Sequence, residues 1–317
     1  MTTSQPPAPT TEALVLPGGG SGRGARRPRR AAGGLQLGHW WWALPGIALV
    51  LAIHYIATGI GGFFAFTDWT GIGAFSWIGL DNFVAIFNDP GKLRALGNTL
   101  FLAIGSVILS NIAGLVLALG LNRGLKTRLV LRTLFFMPVV LSPLAVSYIW
   151  KFIFDYNGPV NLLLKGVGLG ELARPWVADP NWAIWTVLIV LVWQNTGIAM
   201  VIYLAGLASV PPEIEEAAAL DGANLWQRFR HITLPAVRPA IAISTTLGLV
   251  NGLRVFDQIM ALTGGGPAGA TENLATQVYK ESFALSNFGY GAALALLLTV
   301  IIVIFAALQQ RVTRDPA

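Results

Sequence analysis

The stretch EEAAALDGANLWQRFRHITLPAVRP, Glu215 to Pro239, is a polar interruption in an apolar chain. The 317 residues are 54% hydrophobic and 11% charged, with a mean hydropathy of +0.63. A soluble domain carries about 25% charged residues, so this chain is not water-soluble throughout. Within the stretch, Glu215, Glu216 and Asp221 come first and Arg228, Arg230 and Arg238 follow. Pro211 and Pro212 are tolerated in a first helical turn, and Glu213, Glu215 and Glu216 suit the positive end of a helix dipole. The run to Leu220 favours helix, and Gly222 ends it as a left-handed cap would. Asn224 can cap a second helix, in which Leu225, Phe229 and Ile232 fall on one face. Pro235 and Pro239 are expected to break that helix. The pattern predicts two short helices, the first with an Ala-lined acidic face and the second with a basic outer side.

On either side lie apolar runs long enough to cross a bilayer, which takes about 20 residues. Six qualify: 41–66, 99–121, 132–154, 182–207, 239–262 and 288–310. Trp and Tyr near several ends, among them Trp41, Trp42, Trp69, Trp150, Tyr156 and Trp182, suit the two interfaces. The predicted fold class is all-α, a polytopic membrane protein of six transmembrane helices. With the N-terminus inside, fourteen of the 21 Lys and Arg fall in inside segments. Most acids, including Asp68, Asp81, Asp89, Asp155, Asp179, Glu272 and Glu281, then lie outside. Both termini and the 215–239 insert are therefore expected in the cytoplasm.

Residues 1–38 are rich in Pro, Gly and Ser and contain RGARRPRR; they are expected to form a disordered basic tail ahead of a 39–317 transmembrane domain. The following apolar run is too long for a signal-peptide core, so a retained first helix is expected. GGGSGRG, at 18–24, follows no strand, and no GxxxxGK[ST] occurs anywhere, which excludes that nucleotide-binding loop. There is no Cys, and His39, His54 and His231 are widely separated, so neither a catalytic set nor a metal site is expected. The net charge of +6 is accounted for by topology rather than by nucleic acid.

Lying on lipid headgroups is one reading of the insert. Three acids near its start argue against it, because an Ala-rich knob with a carboxylate better suits a protein groove containing Arg. The residues also carry a family resemblance. Glu216-Ala217-Ala218, Gly222 four positions on, and Ile232-Thr233-Leu234-Pro235, with Asp221 and Ala223 between, resemble the EAA loop of permease subunits of bacterial ABC importers. GLDNFVAIFNDP...LGNTL (79–100) and RVFDQIMALTGGGP (254–267) are similar to the sugar-importer, maltose/glycerol-3-phosphate-type branch. The resemblance covers about 44–310. It implies the type I importer permease fold in a bacterial cytoplasmic membrane, a second homologous permease, two ATPase subunits and an extracytoplasmic solute-binding protein. It also implies a sugar or related polyol as cargo, and that ATP and Mg are bound by the ATPase subunits while this chain is not a catalyst. The implied ATPase-coupling residues are Glu215, Glu216, Ala217, Ala218, Asp221, Gly222, Ile232, Leu234 and Pro235.

Polar residues inside the spans are candidates for a substrate path, and equally for helix–helix contacts. They are Asn111, Gln194, Asn195, Asn251, Arg254 and Asp257. Arg254 and Asp257, three apart in the fifth run, are expected to share a helix face and can pair. His54 reads as a packed or interhelical histidine, and Gly59, Gly61 and Gly62 as points of close helix approach. A secondary transporter would predict more spans, internal repeats and charged relays. A polytopic membrane enzyme would predict clustered His, Asp or Glu.

Overall fold

The computed structural model describes residues 41–122 and 126–313. The tail to Gly38, Arg123 and Arg314 lie outside the described residues. Helices dominate; among the described residues the only β pairing is a lone antiparallel bridge between Thr67 and Trp77. An apolar helix, α1, covers Ala43–Phe64 and widens into a π turn at Leu51–Ile56. It crosses the division between two compact units, Met1–Ala52 and Ile53–Ala317. The tertiary packing is that of the second unit.

There, α2 (Asp81–Asn88) leads into α3 (Pro90–Leu121), a 32-residue helix. Asp89 starts α3, its Oδ1 accepting from the N–H of Gly91 at 2.7 Å, with Pro90 in the first turn where no donor is needed. The helix α7 (Ala183–Leu207) lies along α3. Their approach is close because Gly114 has no side chain: a Cβ there would sit 2.7 Å from Ala199 Cβ and 2.8 Å from Met200 N. One apolar core joins Leu102, Val146, Val187, Leu191, Val255 and Ile259; a second joins Ala118, Met200, Tyr203, Leu207 and Val237. The final helix, α13 (Phe288–Thr313), buries Ala293 and Leu294 against Ala65, Ile86 and Leu274.

Among the described residues four helices are long and apolar enough to cross a membrane: α1, α3, α7 and α13. The third and fifth runs differ from the expected continuous spans. The third is two helices, α4 (Arg128–Val140) and α5 (Pro143–Ile153), meeting at 101°. Pro138 and Pro143 remove backbone donors around the bend, and Ser142 takes an extended backbone and accepts from the N–H of Ala145 at 3.2 Å, starting the second piece. The fifth run holds α10 (Arg238–Leu253), which stops before Arg254, and a separate α11 (Asp257–Leu262). The side-chain amide of Asn273 donates to the carbonyl of Val255, satisfying backbone that leaves the helix there. Counting two bent pairs as one span each, α4 with α5 and the helix Leu225–Ala236 with α10, the described residues give up to six.

Two smaller expectations fail. A Cβ on Gly59, Gly61 or Gly62 would meet nothing within 4 Å, so no close approach within the described chain uses them. His54 is exposed rather than packed.

Candidate functional site

The loop between α7 and α10 folds into two helices, as its capping residues dictate. The first, α8, is Pro212–Leu220, with Pro211 at its cap position and Glu213 and Glu215 in the first turn. Its end is a glycine turn. Gly222 has φ +82°, and the N–H of Ala223 reaches back to the carbonyl of Ala218 at 2.9 Å. A side chain at that φ is strained although the space around the missing Cβ is empty. The second, α9, is Leu225–Ala236 with a π turn at Phe229–Thr233. Asn224 starts it through a reciprocal pair: Gln227 N–H donates to Asn224 Oδ1 at 2.9 Å, and Asn224 N–H donates to Gln227 Oε1 at 2.8 Å.

One correction concerns Pro235. It does not break α9, because the preceding π turn has already widened the hydrogen-bond ladder and the helix runs on to Ala236. The chain turns at Val237, and α9 and α10 meet at 64°. Pro239 then sits in the first turn of α10.

Neighbouring acids of α8 have different surroundings. Glu215 is half-buried and accepts from the Thr233 hydroxyl at 3.5 Å, joining α8 to α9. Glu216, Ala217, Asp221 and Gly222 are exposed, and Ala218 is half-buried. No residue of α8 is buried, and Leu220 is 90% exposed. Leu234 packs beside the buried Leu207 and Val237, Ile232 is half-buried, and Pro235 is exposed. The loop is therefore rooted through α9 and presents α8 outward.

The polar span residues divide. Asn111 accepts from the Tyr203 hydroxyl at 2.6 Å and donates to Val107 O at 2.8 Å, tying α3 to α7. Gln194 donates to Leu141 O at 3.2 Å, at the bend between α4 and α5, and accepts from Gln258 of α11 at 3.2 Å. Asn195 donates to Leu191 O in its own helix. Asn251 is exposed. Arg254 caps the end of α10 and Asp257 opens α11, both exposed. The expected shared helix face is absent because the helix ends between them. Among the described residues the ion pairs are Lys92–Glu281 and Lys280–Glu272, so Arg254 and Asp257 do not pair.

The first of those pairs belongs to a buried network that the sequence reading missed. Lys92, near the start of α3, bonds Glu281 and Gln277. Glu281 also accepts from Asn287 at 3.1 Å, and Gln277 donates to Glu272. The partners are 185 and 189 residues from Lys92, so no local pattern announces them. The Glu272 carboxylate, 2.9 Å from Lys280 Nζ, raises the Lys280 pKa.

Residues 110–316 match the family model described as "Binding-protein-dependent transport system inner membrane component". The multiple sugar-binding transport system permease protein MsmF of Streptococcus mutans is 36% identical over 279 residues, covering 87% of this chain and 96% of that protein. The lactose transport system permease protein LacF of Rhizobium radiobacter is 31% identical, covering 87% and 94%. The solved structure of a bacterial ABC transporter involved in import of the acidic polysaccharide alginate contains a chain with TM-score 0.76 and 26% identity, covering 87% of this chain and 94% of that one. The family and these relatives are non-catalytic membrane components of transport systems. With its several apolar helices, the chain is a multi-pass membrane protein that belongs to the binding-protein-dependent transport system inner membrane components, the permease family of ABC importers, among relatives named for sugar transport.

Proposed function

We propose that this chain is a permease subunit that imports a saccharide or related polyol, driven by ATPase subunits that dock on α8. The observation that carries the reading is α8 itself: a helix with no buried residue, an exposed Glu216 and Leu220, and an exit fixed by a left-handed glycine. An exposed apolar residue beside a carboxylate is unfavourable in water and suited to a protein groove with a basic partner. A helix end rigidly rooted through α9 can pass a push from that groove to α10. In this reading ATP and Mg are held by two ATPase subunits, a second related permease completes the path, and both termini are cytoplasmic. Delivery by an extracytoplasmic binding protein is supported by the alginate transporter, a second structure of which is in complex with a pentasaccharide-bound periplasmic protein. The saccharide class rests on the relatives' names.

The substrate path is assigned to Asn195, Asn251, Arg254 and Asp257. Asn111 and Gln194 already bond to other helices of this chain, whereas Asn251, Arg254 and Asp257 are exposed and free to face a partner permease. A secondary transporter or a membrane enzyme has no comparable feature in its favour.

The test is to purify the assembled importer carrying Glu216→Lys or Gly222→Val. A β-branched residue at φ +82° should cost on the order of 1–2 kcal/mol of local structure. Both variants should insert and pair with the second permease, yet lose ATPase co-purification or binding-protein-stimulated hydrolysis in proteoliposomes. Full coupling in both would refute the assignment of α8.

A further inference from the structure

Between α8, α9 and the ends of α3 and α7 lies a cavity of about 540 Å³. Leu119 of α3 and Leu207 of α7 form its floor, Trp226 and Phe229 of α9 one wall, and Glu215 and Arg228 its polar edge. The Nε atoms of Arg132 and Arg228 are buried with no hydrogen-bond partner, and of the two only Arg228 lines this cavity; neither ion pair among the described residues includes it. A buried guanidinium N–H without an acceptor is rare in a finished structure, which implies that an acceptor comes from outside the chain.

The surroundings specify that acceptor. The cavity lies at the ends of two helices apolar enough to cross a membrane, so Leu119 and Leu207 at its floor extend their apolar surface. Leu225 and Trp226 are 69% and 65% exposed beside it, the arrangement of side chains at a membrane interface. An amphiphile with an anionic head fits: a phosphate on the guanidinium fork, an acyl chain over Leu119 and Leu207. Glu215 narrows the choice. A carboxylate lining the same cavity repels a dianionic phosphate but accepts hydrogen bonds from headgroup hydroxyls.

We propose that this cavity binds the headgroup of a hydroxyl-bearing anionic phospholipid, a phosphodiester of the phosphatidylglycerol type, and that the lipid seats α9 beneath α8. The two helices then divide the loop's work, α8 meeting protein and α9 meeting lipid. The proposal rests on the cytoplasmic-surface placement of the loop, but not on ATPase docking.

The test uses the full chain in nanodiscs of phosphatidylcholine with a minor fraction of phosphatidylglycerol, with retained lipid counted by native mass spectrometry. Wild type should retain phosphatidylglycerol selectively. Arg228→Gln should lower that retention about tenfold or more, as loss of one charge-assisted contact implies, and Arg230→Gln should not. Arg228→Lys keeps the charge without the fork and should retain an intermediate amount, which keeps the test decisive if Arg228→Gln folds poorly. Inorganic phosphate at millimolar concentration should fail to displace the lipid. Displacement by phosphate would mean a free-anion site, and equal loss in the Arg228 and Arg230 variants would mean unspecific attraction. Unchanged retention in Arg228→Gln with lost ATPase co-purification would make Arg228 a protein-docking residue. Each of those results overturns the proposal, and none of them bears on Glu216 or Gly222.

Discussion

Replacing Lys92 with Met should destabilise the protein by about 3 kcal/mol, the lower end of the range for breaking a buried ion pair. The Lys92 and Glu281 side chains are 9% and 8% exposed. With the ammonium gone, Glu281 keeps one neutral donor, Asn287, and Gln277 loses the group its oxygen faces. The lower end applies because a cleft of about 390 Å³, lined by Asp68, Asp89 and Tyr290 among others, adjoins the pair and can admit water to the stranded carboxylate. About 3 kcal/mol is roughly a 150-fold change in the folded-to-unfolded ratio. Removing both charges, Lys92→Met with Glu281→Leu, should restore most of that loss, since no charge is then left buried alone. The measurement is a double-mutant cycle on equilibrium unfolding in bicelles, followed by tryptophan fluorescence. If the two single effects simply add in the double variant, or if Lys92→Met changes stability by less than about 0.5 kcal/mol, the pair is not the structural tie described here.

Charge reversal at Arg254 and Asp257 should show no mutual rescue. The helix ends between them and they do not pair, so the coupling energy should stay below about 0.5 kcal/mol; a coupling above about 1 kcal/mol in uptake or stability would refute the break. Gly114→Val should cost about 1–3 kcal/mol by forcing α3 from α7, since its Cβ meets Ala199 at 2.7 Å; a thermal midpoint equal to wild type would refute the close approach. Reporter fusions after Asp89, Asp179 and Glu272 should read outside and fusions near Arg128 and Arg228 inside; two reversed reporters would overturn the orientation.

The loop was legible because its structure is made by local chemistry. Asn224 and Gln227, Ala218 and Ala223, Pro211 and Pro212 act across five residues or fewer, and such contacts can be read from spacing. The apolar runs were legible for the same reason: a bilayer-length stretch needs no distant partner to be recognised. The bend in the third run had a local signal in Ser142-Pro143, a helix start in the middle of an apolar run, but its apolarity is equally compatible with one straight helix. The break after Leu253 had weaker warning. It is held by Asn273, eighteen residues beyond the Val255 carbonyl it bonds, whose own position depends on Thr99 Oγ1 accepting from the N–H of Leu274 at 2.9 Å.

The same distinction separates the polar residues. An amide in an apolar helix looks identical in sequence whether it glues helices or faces a solute, because the difference lies in the partner. Gln194 meets a carbonyl 53 residues away and an amide 64 residues away, which only the bend after Val140 and the short α11 bring within reach. The broken spans and the occupied amide are thus one fact. Straightening the third run would move Leu141 O away from Gln194, and fusing α10 with α11 would displace Gln258. A buried amide with two such partners argues that the bends are required by α7, and it leaves Arg254 and Asp257, exposed at the break, for the proposed solute path.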